Sequence, residues 1–254
     1  MHQKTRRNRI TSVERALTLL QILAERGRIS VSEAAAEIGV AASTAHRLLA
    51  TLVHRRFAEQ GPGRLYYPGP ELQSRTGFPS GNQLIRVMRP FLEQVHAATD
   101  ETLHLMIPVH ADIRLIDGIE SERRLKVSLR VGTLMPAYCG AGGKAMFADL
   151  DWSEVEQLHA GGLRPWPTAK IRDLKGLRRE IQTTRQRGYG LNVAETEEGV
   201  SVIGVSIRAR SGRPIAAMTV AMPSSRFNRA CEAAYSKILL AARVAAERKI
   251  AQHD

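Results

Sequence analysis

Apolar residues recur at helical spacing along the first 56 residues and predict three helices in quick succession. From Val13 to Ala24 they return every three or four positions, which is the period of one buried helix face. Gly27 and Gly39 stand where the first two helices are expected to end, because glycine readily adopts the left-handed conformation found after a helix. The third helix, Ser43–Arg56, is predicted to bury five residues: Ala45, Leu48, Leu49, Leu52 and Val53.

Two capping boxes predict where the first two helices begin. Thr11 with Glu14, and Ser30 with Glu33, both match the pattern in which the two side chains bind each other's backbone N–H groups. We therefore expect the first helix to begin directly after Thr11 and the second directly after Ser30.

The second and third helices are separated by a turn of only a few residues, which is the geometry of a helix-turn-helix. In that motif the later helix enters the major groove of DNA with its amino-terminal residues facing the bases. Phe57–Gln60 and Leu65–Tyr67 flank the glycine-rich turn Gly61–Arg64 and predict a β-hairpin. A hairpin at this place is typical of a winged helix-turn-helix, with Arg64 at the tip of the wing.

A polar stretch at residues 73–83 contains two glycines and a proline, and it predicts a boundary between two domains. A helix follows, and Pro90 either starts it or lies within a helix that begins near Leu84. We expect the first arrangement, because proline fits the first turn of a helix better than its interior. The expected division is a DNA-binding domain at residues 1–72, a linker with its helix at 73–90, and a sensing domain at 91–254.

Short β-like runs and helices alternate after residue 100 and predict an α+β domain. The predicted strands are Thr102–Val109, Ile113–Ile119, 125–131, Ser201–Ile207 and Ile215–Ala221. The predicted helices are Gly142–Leu150, Trp152–Ala160, Leu174–Arg187 and an alanine-rich helix from Phe227 onwards.

The distribution of charge favours a polyanionic partner, most of all for the first domain. Lys and Arg outnumber Asp and Glu by 37 to 25, and the first 75 residues alone hold 12 against 6. Such a surplus attracts nucleic acid through phosphate contacts and counterion release. The opening basic segment, with Lys4, Arg6, Arg7 and Arg9, is expected to contact the DNA backbone. No window approaches 18 uncharged apolar residues, so we expect no membrane-spanning segment.

Catalytic and metal sites are not expected from the residue pattern. Cys139 and Cys231 are too few for a disulfide framework or a four-cysteine zinc site, and the expected location is the cytoplasm. The eight histidines show no metal-binding spacing. Residues 140–145 match G-x-G-x-x-A, but the residues before them make a poor central strand for a dinucleotide fold. Cys139 with His104 as its base supports the alternative interpretation, an enzyme with an appended helix-turn-helix module.

Five stretches of the sequence resemble the IclR family of bacterial regulators. Residues 43–52, Ser-Thr-Ala-His-Arg-Leu-Leu-Ala-Thr-Leu, are similar to the family's recognition-helix pattern S-T-x-H-R-L-L-x-T-L. Tyr66 followed by Gly69-Pro70 is similar to its wing strand. Residues 101–105 resemble its E-T-V-x-L segment, and residues 135–145 resemble its P-x-H-A-x-A-x-G-K-A loop. The family signature G-x3-[DS]-x2-E-x6-[CSA] aligns with Gly188, Asn192, Glu195 and Val202.

The resemblance implies a winged helix-turn-helix joined by a linker helix to a GAF-like effector-binding domain, assembled as a homodimer or a dimer of dimers. It implies a repressor or activator that binds a pseudo-palindromic operator on double-stranded DNA under the control of a small molecule. The expected DNA contacts are Ser43, Thr44, His46, Arg47, Thr51, Arg55, Arg56, Arg64 and Tyr66. The expected effector contacts are His104, Leu129, Met135, Cys139, Gly140, Ala141, Gly142, Asn192 and Val202. No catalytic residue, metal or cofactor is expected.

Two departures from the family pattern bear on the effector. Asn192 stands where Asp or Ser is usual, and Val202 stands where a small or thiol side chain is usual. Asparagine lacks the charge that would repel an anion, and valine removes a polar contact. Backbone N–H groups at Ala141 and Gly142, where the glycine-rich loop enters a helix, suit an anion. We therefore expect an organic carboxylate, and an aromatic one in particular.

Overall fold

The computed structural model describes residues 10–73 and 81–252. Contacts between Cα atoms divide the chain into two compact units, Met1–Gly81 and Asn82–Asp254. The predicted basic segment at residues 4–9 and residues 74–80 of the predicted linker lie outside the described residues.

The first unit combines helices with a small three-stranded sheet. Its elements are α1 (Thr11–Arg26), β1 (Ile29–Ser30), α2 (Val31–Glu37), α3 (Ala42–His54), β2 (Ala58–Gln60), β3 (Leu65–Pro68) and α4 (Pro70–Gln73). The strands are antiparallel in the order β1-β3-β2. The predicted helix-turn-helix and hairpin wing are thereby confirmed, and the short strand β1 is an addition that the sequence pattern did not reveal.

One of the two predicted capping boxes is present. The backbone N–H of Glu33 donates to the Ser30 side chain at 3.2 Å, and the Glu33 carboxylate accepts from the Ser30 backbone at 2.7 Å. The box at Thr11 and Glu14 was wrong. Helix α1 already includes Thr11, and the residue before it, Ile10, provides no side-chain cap. Because Thr11 is the first helical residue rather than the cap, its hydroxyl is not placed to bind the N–H of Glu14.

The apolar faces of the three helices meet in one core. Leu19 and Leu23 of α1, Ala34 of α2 and Leu49 of α3 are all fully buried there. This core fixes the orientation of α3, because the buried positions of α3 face α1 and α2 while its remaining positions stay exposed. Burial of the apolar stripe therefore determines which side of α3 is free to meet a ligand.

The second unit is built on a six-stranded antiparallel sheet. Its elements are α5 (Gly81–Thr99), β4 (Thr102–Val109), β5 (Asp112–Ile119), β6 (Leu134–Pro136), α6 (Ala141–Ala148), α7 (Trp152–Leu158), α8 (Leu174–Arg187), β7 (Gly190–Val193), β8 (Val200–Arg208), β9 (Pro214–Pro223) and α9 (Arg229–Ile250). The strand order is β6-β5-β4-β9-β8-β7. This α+β arrangement confirms the predicted fold class. Within the described residues, no helix is long and apolar enough to cross a membrane.

Two local predictions for this unit were wrong. Pro90 lies inside the continuous helix α5 rather than at its start, so the boundary expected at residue 90 falls within a helix. Residues 125–131 form no strand, although apolar and polar residues alternate there. The backbone of this segment binds side chains instead: Val127 accepts from the Thr102 hydroxyl, and Leu129 donates to the Glu120 carboxylate. Leu125 and Val131 consequently remain exposed.

Helix α6 lies directly on the sheet because glycines allow the two backbones to meet. A Cβ atom on Gly190 of β7 would overlap the carbonyl oxygen of Ala141, and one on Gly204 of β8 would lie 2.8 Å from the amide nitrogen of Gly142. A Cβ on Gly142 would in turn lie 3.1 Å from Cγ2 of Thr219 on β9. The sheet therefore holds the first turn of α6 in a fixed place.

Candidate functional site

The exposed face of α3 carries the side chains expected to meet DNA. Ser43, Thr44, His46 and Arg47 are all exposed near its amino terminus, and the sheet and core lie behind them. The hydroxyl of Thr51 is exposed too, but it donates to the carbonyl of Arg47 at 2.8 Å within the helix. Hydroxyl, imidazole and guanidinium groups in one stripe suit contacts with base edges and phosphates.

Three arginines expected to bind the DNA backbone lie away from the start of α3. Arg55 and Arg56 are exposed at its carboxyl end, about 18 Å along the axis from Ser43 at the usual rise per residue. Arg64 is exposed in the wing turn and has a φ of 58°. Arg55 and Arg56 thus lie at the opposite end of α3 from Ser43–Arg47, and Arg64 lies in the wing.

Tyr66 is a correction to the expected DNA contacts. It lies in β3 opposite Ile29, and its side chain is 2% exposed within the core. Side chains alternate across a strand, so burying Tyr66 turns it away from solvent. The structure makes Tyr66 a core residue of the helix-turn-helix unit.

A cavity of about 510 Å³ lies beside the first turn of α6 in the second unit. Seven of the nine residues expected to contact an effector line it: His104, Met135, Gly140, Ala141, Gly142, Asn192 and Val202. Other lining residues that the sequence did not single out are Met106, Lys126, Arg130, Trp166, Thr196, Glu197 and Thr219.

Leu129 and Cys139 do not line this cavity, which corrects both expectations. Cys139 is fully buried in the apolar core between α6, α7 and α8, and Leu129 packs against the same core. Burial raises the pKa of the Cys139 thiol to about 11, and the nearby charge of Glu195 acts in the same direction. A thiol with such a pKa holds its proton at neutral pH and makes a poor nucleophile.

Asn192 faces the cavity but is already engaged on both sides of its amide. Its Oδ1 accepts from the backbone N–H of Glu195 at 2.8 Å, and its Nδ2 donates to the Thr196 hydroxyl at 2.6 Å. Asparagine commonly stabilises a turn in this way. Its first role here is therefore to shape the connection between β7 and β8.

A buried ion pair fastens α6 to that same connection. Nζ of Lys144 lies 2.7 Å from Oε1 of Glu195 and donates to the carbonyl of Leu191 at 2.9 Å. The two side chains are 2% and 9% exposed. The sequence resemblance contained both residues, but it gave no indication that they pair. The pair joins the helix that borders the cavity to the turn that Asn192 closes.

His104 sits on the floor of the cavity, in the middle of β4. Its cross-strand neighbour is Thr219, and Nδ1 lies 3.4 Å from the Thr219 hydroxyl. Nε2 is buried and has no hydrogen-bond partner among the described residues. Desolvation lowers the pKa of His104 to about 4, so the imidazole is neutral at physiological pH.

The stability of the protein is expected to fall between pH 6.5 and about pH 4, because His104 binds a proton in the unfolded state but not in the folded one. A tenfold change in proton affinity corresponds to about 1.4 kcal/mol, so this residue contributes roughly 3 kcal/mol to the loss. Burial also lowers the pKa of His159, which adds to it.

Urea unfolding at the two pH values measures this effect, and the variant His104→Gln should show a correspondingly smaller loss. An equal loss in the variant would show that His104 does not carry the effect.

No cluster of three or more His, Cys, Asp or Glu side chains suited to a metal occurs among the residues described. The two candidate functional surfaces are the exposed stripe of α3 and the cavity beside α6. One presents donors and positive charge, and the other encloses a mainly apolar space with a few polar groups. The first suits a nucleic acid and the second suits a small organic molecule.

Both units match known families and relatives. Residues 79–248 match the family described as bacterial transcriptional regulator IclR C-terminal, and residues 12–62 match the IclR helix-turn-helix domain. The HTH-type transcriptional regulator Rv1719 of Mycobacterium tuberculosis is 31% identical over 227 residues, covering 89% of this chain and 87% of that protein. The transcriptional repressor IclR of Escherichia coli is 26% identical, covering 85% and 81%.

Solved structures show the same fold. The Thermotoga maritima IclR structure has a TM-score of 0.64 at 24% identity and covers 96% of this chain and 100% of its own. An IclR homolog from Microbacterium hydrocarbonoxydans, complexed with 4-hydroxybenzoate, has a TM-score of 0.58 at 22% identity, with coverage of 94% and 98%. The chain therefore belongs to the IclR family of transcriptional regulators, in which a helix-turn-helix domain binds DNA and a carboxy-terminal domain binds a small-molecule effector.

Proposed function

We propose that this regulator binds a pseudo-palindromic operator as a homodimer or a dimer of dimers. Binding of a carboxylate in the cavity beside α6 raises or lowers its affinity for the operator. The observation that carries the proposal is that one chain has both an exposed polar stripe on α3 and a partly open cavity of about 510 Å³ in the second unit. The relatives are transcriptional regulators, and the deeply buried, protonated Cys139 supports a role without catalysis.

In the proposed complex, two copies of α3 enter successive major grooves about 34 Å apart on one face of the duplex. Arg47 donates to guanine or to phosphate, with Thr44 and His46 beside it. Arg55, Arg56 and Arg64 contact the backbone on either side. Two equivalent helices explain why the operator should be a pseudo-palindrome, since the symmetry of the site follows that of the protein.

Replacing Arg47 by Ala is expected to weaken operator binding by about 1–3 kcal/mol and to relax sequence preference at one base pair of each half-site. The reason is the loss of a bidentate contact with a base edge, which carries sequence information. Fluorescence anisotropy with operator and single-base variants measures both effects.

The matched control is Arg210→Ala, which removes the same charge from an exposed turn of the second unit. Equal losses for Arg47→Ala and Arg210→Ala would show that only net charge matters. If Arg47→Ala binds the operator with unchanged affinity, Arg47 does not contact the DNA.

The effector is proposed to be an organic acid with an apolar, preferably aromatic, body. Val202, Met106 and Trp166 supply apolar surface around the cavity, and the first amides of α6 offer donors to an acid group. Asn192 brings no negative charge. A thermal-shift comparison of benzoate and 4-hydroxybenzoate with sugar acids tests the proposal, and stabilisation by the sugar acids alone would refute it.

A further inference from the structure

The strongest unexplained feature of the cavity is the unpaired nitrogen of His104. The ring is 8% exposed, and its Nδ1 faces the hydroxyl of Thr219. Nε2 is buried without a partner among the described residues. Buried polar groups in folded proteins almost always have a hydrogen-bond partner, and an unpaired one lowers stability. Stability alone therefore does not explain a histidine at this position.

Asn192 and the two cations at the cavity already have partners. Asn192 uses both ends of its amide in its own turn. Lys126 is 2.8 Å from Glu120, and Arg130, which is mostly exposed, is 3.7 Å from Glu197. Among the described lining residues, then, no buried cation is present to meet an acid group.

His104 also lies close to the amino-terminal end of α6. The first turn of that helix covers Thr219, because a Cβ on Gly142 would lie 3.1 Å from Cγ2 of Thr219. Thr219 is the residue that faces His104 across the sheet. An oxygen bound by the first amides of α6 would therefore lie near the imidazole.

We propose that His104 is the specificity-determining residue of the cavity, and that its neutral imidazole donates a hydrogen bond from Nε2 to an oxygen of the bound carboxylate. The inference rests on the proposed carboxylate effector and deepens it. In the proposed tautomer Nδ1 accepts from the Thr219 hydroxyl, 3.4 Å away, and the ring proton is on Nε2. The imidazole then acts as a neutral donor and selects ligands with an oxygen acceptor at this point.

A bound carboxylate also changes the protonation of the ring. Without ligand, desolvation keeps the pKa of His104 at about 4. A carboxylate beside the ring stabilises the charged form and raises that pKa. At pH values between the pKa of free His104 and its raised pKa in the complex, ligand binding is therefore accompanied by uptake of a proton. The affinity for the carboxylate increases as the pH falls through this range. The other charged groups at the cavity are Lys126, Arg130 and Glu197, while α6 and β9 present none to it.

The test uses 4-hydroxybenzoate as the probe and the full-length protein. Calorimetry should give a Kd that falls by up to about tenfold for each unit of decreasing pH within the window. His104→Gln keeps a donor but cannot titrate, so it should bind with near wild-type affinity at neutral pH and show no pH dependence. His104→Phe removes the donor and should weaken binding by about tenfold or more.

His159→Gln provides the matched control: it removes another buried histidine whose pKa is lowered by burial, but one that does not line the cavity, so it should keep both affinity and pH dependence. Binding that is equally tight in His104→Phe, or that shows no pH dependence in the wild type, would overturn the inference and leave the carboxylate effector standing. 4-Hydroxybenzoate and benzoate are also added up to their solubility limits, while the melting temperature and the His104 ring signals in NMR spectra are followed. If neither compound shifts either quantity, the carboxylate effector and the role of His104 are both refuted. The ring signals are identified by their absence in His104→Gln.

Discussion

Replacing Lys144 by Met is expected to lower the free energy of unfolding of the second unit by about 3–5 kcal/mol. The substitution leaves the carboxylate of Glu195 buried without its partner and also removes the donor to the carbonyl of Leu191. Urea unfolding followed by tryptophan fluorescence measures the loss. Both tryptophans, Trp152 and Trp166, belong to the second unit, so the signal reports on that unit directly.

The double variant Lys144→Met with Glu195→Met separates pairing from packing. Replacing both members of a buried ion pair by apolar residues is often close to neutral, so the double variant should recover most of the loss. If it is as unstable as the single variant, the unpaired charge is not the cause. A loss below about 1 kcal/mol in Lys144→Met would show that the pair contributes no more than a surface ion pair.

Substituting Gly190 by Ala is expected to lower the free energy of unfolding by about 3 kcal/mol, at the upper end of the range for overpacking. The added Cβ would overlap the backbone oxygen of Ala141, and backbone atoms cannot move aside as a flexible side chain can. Helix α6 must therefore move away from β7, which also disturbs the cavity. The same urea experiment measures the stability, and a thermal-shift titration with 4-hydroxybenzoate measures the effect on ligand binding.

Gly161→Ala is the matched control for this prediction. Gly161 has no atom within 4 Å of an added Cβ, so its substitution should change stability by less than about 0.5 kcal/mol. Similar results for the two variants would mean that the contact between β7 and α6 relaxes easily. Destabilisation at Gly190 alone supports the account of a helix held on the sheet by glycines.

The sequence was most informative where local rules and tertiary packing agree. The helices of the first unit followed from apolar spacing, and Ser30 with Glu33 marked the start of α2 correctly. The pattern failed at residues 125–131, where alternation indicates a strand but the backbone binds the side chains of Thr102 and Glu120. Those partners lie 9 and 25 residues away along the chain, outside the alternation that predicts a strand.

The effector cavity was predictable only in part for the same reason. The family resemblance located the loop before α6 and the signature segment, and seven expected residues do line the cavity. It did not separate Cys139, which faces the core, from Gly140, which faces the cavity. Which of the two residues faces the cavity depends on how the turn before α6 is oriented against the sheet. The pairing of Lys144 with Glu195 and the unpaired Nε2 of His104 likewise appear only when the strands are placed together.

The most direct test of the whole account is fluorescence anisotropy of the protein on duplex DNA taken from upstream of its own gene, at several salt concentrations and with excess random duplex. We predict tight binding that survives the competitor and that changes when 4-hydroxybenzoate or benzoate is added. The contrary result is weak binding that falls steeply with salt, is indifferent to sequence and does not respond to carboxylates. It would mean that the net charge of +12 alone attracts DNA.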